Sequence, residues 1–279
     1  MTTTLQANLS AMLASTRMRL LFLSRYPGQI AMDILIPIVL AGMPILLGRA
    51  GGAENAEAVF KANTGTSDYI PYLLIGSSAL NLVTNAFWHM AYWLRREQEL
   101  GTLETLYQTP TPRIWVAAGT ALYSALRSVT TAVLAYWIGC RILNVNPFQG
   151  EVALAFAFVL VGLVPLYSLT LLFGAVILKV KEANALVSLM QWVVIFLMGV
   201  YYPITIFPPL VKLLSLLFPP TWMTNGVRAA LLGVGYFFGT WYKDLAVLWI
   251  FMLITPWLGW WVFTRVENNV RRNEGMGQY

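Results

Sequence analysis

The 279 residues carry a net charge of +6, and 58% of them are hydrophobic while only 11% are charged. Soluble domains carry about 25% charged residues, so this composition argues against an ordinary soluble protein and indicates a membrane protein. The basic residues are scattered between apolar runs instead of forming one patch, which argues against nucleic-acid binding. The 11 Trp, 13 Tyr and 14 Phe are typical of aromatic belts at membrane surfaces.

Residues 1–29 predict an amphipathic helix that lies on the cytoplasmic membrane surface. Their apolar residues recur at spacings of three, four or sums of these, which is the period of one helix face. These residues are Leu5, Leu9, Met12, Leu13, Leu20 and Leu23. Arg17, Arg19 and Arg25 accompany the apolar face, and Pro27 with Gly28 ends the helix. The alternative is a basic flank that only fixes topology.

The remaining residues, 30–279, predict a single all-α transmembrane domain with about six transmembrane helices. A helix needs roughly 20 apolar residues to cross a bilayer. The candidate spans are Ile30–Leu47, Ile70–Tyr92, Val116–Ile142, Val152–Leu178, Ala185–Tyr202 and Leu245–Phe263. With both termini in the cytoplasm, 11 of the 18 Lys and Arg residues fall inside and six outside, with Arg127 in a span. This distribution follows the positive-inside rule and predicts a multi-pass protein with a cytoplasmic tail at 265–279.

Two ionisable residues fall inside predicted spans. Asp33 lies about one turn into the first span, and Arg127 lies within the third. A charge in the bilayer is costly, so each must pair, reach the interface or line a pathway. The residues alone leave open an internal salt bridge, a side chain that reaches the headgroups, and a substrate path.

The sequence predicts no catalytic residue and no metal site. Cys140 is the only cysteine and His89 the only histidine, so a Cys/His cluster is not expected. We expect His89 to have a structural role near an interface.

A charged segment, residues 95–113, interrupts the apolar runs. Gly101 is expected to break the helix that continues from the second span, and Thr102 to cap a new helix of about two turns. Glu104 would lie in its first turn, and Pro110 would follow its end. The residues expected to contact a partner protein are Glu97, Gly101, Thr102, Leu103, Glu104, Leu106 and Tyr107. The alternative is a solvated connector with ordinary charge pairs.

Five prolines divide the region 203–240 into short apolar pieces, none of which is long enough to span a bilayer. This pattern predicts a re-entrant helical hairpin that enters from the outer side. The aromatic residues expected at its mouth, as an outer gate, are Tyr201, Tyr202, Phe207 and Trp222. A structured loop on the headgroups, with these aromatics in an interfacial belt, is the alternative.

These motifs together resemble one family. The pattern E-x-E-x-G-T-L-E-x-L-x-x-T-P, from Glu97 to Pro110, resembles the coupling-helix region of type 2 ABC (ATP-binding cassette) exporter permeases. The stretches 199–203, 207–209 and 218–222, with Arg228, are similar to the family's fifth-span and re-entrant region. The tail from Glu267 to Tyr279 is similar to the ends of the drug-exporter branch.

The resemblance implies two permease subunits, here expected as a homodimer, driven by two cytosolic ATP-binding subunits. The chain would carry no cofactor, and ATP with Mg²⁺ would bind the partner, since no G-x-x-x-x-G-K-[ST] loop occurs here. The expected location is the plasma (inner) membrane, and the expected cargo is a drug or a lipid-like molecule. The alternatives are a polysaccharide or lipid-linked glycan exporter of the same family, a secondary transporter without an ATPase, and a membrane enzyme.

Overall fold

The computed structural model describes residues 2–50, 53–101, 105, 108, 109, 111–177 and 183–273. Within these ranges the regular structure is entirely helical, which confirms the predicted all-α class. The α-helices are α1 Thr2–Ser24, α2 Pro27–Ala50, α3 Ala53–Thr64, α4 Tyr69–Ala86, α5 Trp93–Glu99, α6 Arg113–Ile142, α7 Val152–Ile177, α8 Ala183–Leu197, α9 Pro209–Leu216, α10 Pro219–Leu232 and α11 Trp241–Asn273. A π-helical turn, Phe87–Ala91, joins α4 to α5, and a 3₁₀ turn, Ile204–Ile206, precedes α9.

Four described segments are long and apolar enough to cross a membrane. They are Pro27–Gly48, Tyr69–Ala91, Val152–Ile177 and Trp241–Arg265. They match the predicted first, second, fourth and sixth spans. Helix α6 has 30 residues but buries several polar ones, among them Thr120 and Ser124, which lowers its hydropathy.

The predicted fifth span, Ala185–Tyr202, is longer than the helix found there. Helix α8 has 15 residues and ends at Leu197. Gly199 follows with a left-handed φ of 59°, and Pro203 lies beyond it, so the helix cannot continue. At 1.5 Å per residue, α8 is about 22 Å long, shorter than a typical hydrocarbon core.

Helix α4 is the centre of the bundle. In its most apolar stretch of 18 residues, 83% of the residues are buried, compared with 22% in the corresponding stretch of α2 and 17% in that of α11. Helices α2 and α6 pack on one side of α4, while α10 and α7 pack on another, and α11 covers α7. The poorly buried α2 and α11 therefore present apolar surface to the surroundings, as lipid-facing helices do.

Gly76 allows close packing in the first half of α4. A β-carbon there would overlap the Val200 carbonyl and the Arg228 guanidinium. Only glycine lets these groups approach the helix backbone so closely.

The π-helical turn interrupts the regular α4 hydrogen bonds. The backbone N–H of Tyr92 donates to the carbonyl of Phe87, five residues back, at 3.3 Å. Gly174 of α7 lies beside the turn, where a β-carbon would be 3.1 Å from the Ala91 carbonyl oxygen. Such turns insert one extra residue into a helix and are frequent at functional sites.

Helix α1 ends before Pro27, as predicted, but of the predicted apolar stripe only Leu23 is buried. Thr16 is buried and donates a hydrogen bond of 3.0 Å to the Gly119 carbonyl of α6. Gly119 is also close to Ser15, so small residues form this contact. Leu5 and Leu13 instead remain more than half exposed, which leaves them available for lipid.

The region 203–240 consists of short helices, as its prolines predicted. Helix α9 has eight residues and α10 has 14. Gly233, with a left-handed φ of 67°, ends α10. Much of α10 is buried against α7, α4 and α11, so this helix is part of the packed body, whereas in α9 only Ser215 is buried.

Candidate functional site

The first part of the candidate site is the beginning of the charged segment. Arg95 and Arg96 lie on helix α5, which contacts α1 at one end of the bundle. Arg19 of α1 donates to the Glu97 carboxylate at 3.1 Å, and both side chains are largely buried. Burial lowers the pKa of the Arg19 guanidinium, and Glu97 opposes this shift. This pair fixes α5 against α1.

A second pair of contacts stabilises α5 from within. Arg95 and Glu99 approach to 3.6 Å at an i,i+4 spacing. The Tyr92 hydroxyl also donates to the Glu99 carboxylate. Glu99 was not among the predicted contact residues, although its spacing from Arg95 indicates the ion pair.

Helix α5 ends at Glu99, and Gly101 has a left-handed φ of 70°. This backbone turn agrees with the predicted break at Gly101, because residues with side chains rarely adopt that conformation. Beyond it, Thr105 and Gln108 are helical and exposed. Thr102, Leu103, Glu104, Leu106 and Tyr107 lie outside the described residues, so their coupling role stays a prediction.

The two intramembrane charges form one ion pair. The Nε of Arg127 donates to Oδ2 of Asp33 at 2.7 Å, and both residues are buried. This contact joins α6 to α2. The backbone carbonyl of Asp33 also accepts a 2.8 Å hydrogen bond from Asn81, which joins α2 to α4. Of the open alternatives, the internal salt bridge is therefore the one found.

Three neutral groups complete the surroundings of the Arg127 guanidinium. Its Nη1 donates to the Tyr123 hydroxyl at 3.2 Å and lies 3.3 Å from His89 Nε2 and 3.5 Å from Gln29 Oε1. We name Asp33, Arg127, His89, Tyr123 and Gln29 the polar cluster. The π-helical turn brings His89 into it. The sequence indicated only an interfacial role for His89, because nothing in it reveals the extra residue in that turn.

A buried cation that has no carboxylate partner among the described residues lies near the other end of the bundle. Arg228 is 3% exposed and donates to the carbonyl oxygens of Tyr72 and Gly199 at 3.2–3.3 and 2.9 Å. It also donates to the Val200 carbonyl, and its Cζ lies 3.6 Å from the centre of the Tyr72 ring. Arg228 therefore ties α10 to α4 and to the chain that follows α8. Sequence reasoning named Arg228 only as part of a motif.

The four predicted gate aromatics separate into two groups. Tyr202 packs edge-on to Phe207 at 5.4 Å between ring centres, and Tyr201 packs against the main core. Trp222 is buried, donates from its indole N–H to the Leu216 carbonyl at 2.7 Å, and contacts Phe237. Tyr202 and Trp222 nevertheless line one cavity of about 420 Å³, together with Arg228. The gate role of these residues stays a prediction.

Comparison with known proteins gives the family. The family model described as "ABC-2 family transporter protein" matches residues 28–261. The inner membrane transport permease YadH of Escherichia coli K12 is 28% identical over 167 residues, which cover 60% of this chain and 64% of that protein. The YadH protein of Shigella flexneri gives the same values. The matched segment thus spans less than two thirds of these relatives.

The family match confirms the resemblance to type 2 ABC permeases. The expected plasma-membrane location agrees with the inner membrane named for the relatives and with the apolar helices. The family model covers all four candidate spans almost completely, together with the polar cluster and the charged segment. The chain therefore belongs to the ABC-2 transporter family, as a multi-pass transmembrane subunit.

Proposed function

We propose that this chain is the permease subunit of an ABC exporter, which forms the translocation pathway with a second copy and is driven by a separate cytosolic ATP-binding subunit. ATP and Mg²⁺ would bind that partner. Family membership supports the general role. The name of the relatives, inner membrane transport permease, supports transport across the plasma membrane.

The observation that carries the coupling role is the anchored charged segment. The Arg19–Glu97 pair holds α5 on α1, and the turn at Gly101 then redirects the chain into exposed helical residues. A force applied to those exposed residues would reach α1 through the ion pair and α4 through the π-helical turn. A helix that only connects two spans does not need such anchoring.

We extend the proposal to the topology. The distribution of Lys and Arg supports a cytoplasmic location for both termini. Helices α6 and α8 would complete six spans, with α8 crossing only the part of the hydrocarbon core that its 15 residues can reach, and α9 with α10 would form the re-entrant hairpin. The short lengths of α9 and α10 and the burial of α10 support this arrangement. Tyr201, Tyr202, Phe207 and Trp222 would lie at its outer mouth.

The cargo we propose is a hydrophobic or amphipathic molecule, drug-like or lipid-like. The similarity of the tail 267–279 to the drug-exporter branch supports it. Export of a polysaccharide or a lipid-linked glycan is the alternative within the same family, and a transport assay with both classes of substrate separates the two.

The test of coupling is charge reversal at Glu104. We expect Glu104→Lys to abolish transport-linked ATP hydrolysis and to weaken copurification of the ATP-binding subunit, while membrane insertion is unchanged. Glu151→Lys, at the start of α7 and away from the charged segment, is the matched control and should behave like the wild type. Wild-type coupling in Glu104→Lys would refute the assigned surface. Transport by the purified chain without any ATPase would refute the exporter itself and favour a secondary transporter.

A further inference from the structure

A cavity of about 570 Å³ opens between α1, the start of α2, α5 and α6. Sites for small molecules typically have volumes of about 300–1,000 Å³. This cavity lies at the end of the bundle that carries the charged segment. The polar cluster forms part of its wall through Gln29, His89 and Tyr123.

The charges around this cavity do not balance. Three arginines line it, Arg19, Arg25 and Arg96, and the lining has one acid, Glu97. Glu97 pairs with Arg19. Within the described part of the chain, the side chains of Arg25 and Arg96 make no ion pair, and Arg19 Nε is buried without a hydrogen-bond partner. The cavity thus offers unused donors and an excess of two positive charges.

One wall of the same cavity is apolar and open. Leu21 and Phe22 of α1 line it and are 54% and 55% exposed, and Leu100 beyond α5 is 65% exposed. A free phosphate ion would gain nothing from these side chains. A molecule with an acidic head and an apolar tail would satisfy both parts of the lining, since guanidinium groups bind phosphate and carboxylate oxygens with strong, charge-assisted hydrogen bonds.

We propose that this cavity binds an anionic amphiphile, with its phosphate or carboxylate head at Arg25 and Arg96 and its apolar tail along Leu21 and Phe22. The same chemistry has two sources, an acidic phospholipid of the bilayer and an acidic exported molecule. The site goes beyond the proposed function, because binding to this chain alone requires no ATPase.

The probe is dodecyl phosphate, compared with dodecyl phosphocholine, which has the same tail but no net charge. Purified full-length chain in dodecyl maltoside is titrated with each, and the apparent dissociation constant is taken from the rise in unfolding temperature. We expect dodecyl phosphate to bind and dodecyl phosphocholine to bind at least about tenfold more weakly, since hydrogen bonds to charged groups contribute about this much.

Four variants locate the head group. Arg25→Gln and Arg96→Gln should each weaken dodecyl phosphate binding about tenfold. Arg17→Gln, an exposed arginine of α1 outside the cavity lining, is the control and should bind like the wild type. Arg25→Lys keeps the charge and should bind more tightly than Arg25→Gln. The three substituted positions are all exposed, and circular dichroism checks the fold of each variant.

Equal affinity for the two detergents, equal losses in Arg17→Gln and Arg25→Gln, or no loss in either cavity variant would overturn the proposal. Two further measurements identify the source. An acidic phospholipid that copurifies with the wild type, and is reduced in Arg25→Gln, indicates a resident lipid. Stimulation of ATP hydrolysis by dodecyl phosphate in the complex with the ATP-binding subunit indicates a cargo. Failure of that complex to form would contradict the proposed function but leave the binding result intact.

Discussion

Replacing Asp33 with Asn should destabilise the protein by about 3 kcal/mol. The Asp33 and Arg127 side chains are only 11% and 7% exposed, and the two groups are 2.7 Å apart. Removal of one partner from a buried ion pair costs about 3–5 kcal/mol, because the other charge stays buried without compensation. We expect the lower end of this range. Asn keeps the shape and one acceptor oxygen, and Arg127 keeps Tyr123 as a hydrogen-bond partner.

A double variant distinguishes the loss of the whole ion pair from the cost of leaving one charge buried without its partner. Asp33→Leu combined with Arg127→Met removes both charges, and replacing an entire buried pair by apolar side chains is often neutral or stabilising. The double variant should therefore be more stable than either Asp33→Asn or Arg127→Met alone.

The assay is denaturant unfolding of the purified chain in mixed micelles, followed by tryptophan fluorescence, with the free energy of unfolding as the readout. Asp68→Asn, at an exposed aspartate before α4, is the control and should match the wild type. A loss below about 1 kcal/mol in Asp33→Asn, the value of an exposed pair, would refute the reasoning. So would a double variant that is no more stable than the single ones.

Three further predictions use the same unfolding assay. Gly76→Ala should lower the free energy of unfolding by about 1–3 kcal/mol, because the new methyl group meets the Val200 carbonyl and the guanidinium beside it. Gly42→Ala, in open space, is the control and should be neutral or stabilising by up to about 1 kcal/mol. Equal effects of the two substitutions would contradict this prediction. Arg228→Gln should lower the free energy of unfolding by at least about 2 kcal/mol, since it leaves buried carbonyl oxygens unsatisfied. Arg228→Lys should recover little of this stability, because an ammonium cannot reach all three carbonyl oxygens. Full recovery by Lys would count against the geometry. Thr16→Val should lower the free energy of unfolding by about 1 kcal/mol and speed amide hydrogen exchange in α1. Unchanged exchange would show that the hydrogen bond to α6 does not hold α1 in place.

Much of the helix pattern follows from the sequence. The apolar runs and the Pro27 break identified α1, α2, α4, α7 and α11, because hydrophobic length and proline act locally. The end of α8 was missed. Residues 198–202 are apolar, so hydropathy extended the span, whereas the left-handed Gly199 ends the helix. Helix α3, Ala53–Thr64, was also missed, because it is short and polar.

The candidate site was only partly accessible to sequence reasoning. Asp33 and Arg127 were each identified as costly charges, but they are 94 residues apart in sequence, and only the packing of α2 on α6 shows that they pair. The same limit applies to Arg19 and Glu97, which are separated by 78 residues. The cavity is lined by residues of α1, α2, α5 and α6 and of the π-helical turn, so its charge excess is not visible in the sequence alone.

The π-helical turn sets the direction in which α5 faces. One residue of an α-helix corresponds to a rotation of about 100°. If Phe87–Ala91 formed a regular α-helix with the same residues, the extra residue would no longer be absorbed in the turn, and everything after Ala91 would be rotated by up to about that angle and moved by about 1.5 Å along the axis. Glu97 would then turn away from Arg19, and the charged segment would leave the protein from a different side. The direction in which the charged segment, which we expect to meet the ATPase, leaves the bundle is therefore fixed by one additional residue in the second candidate span.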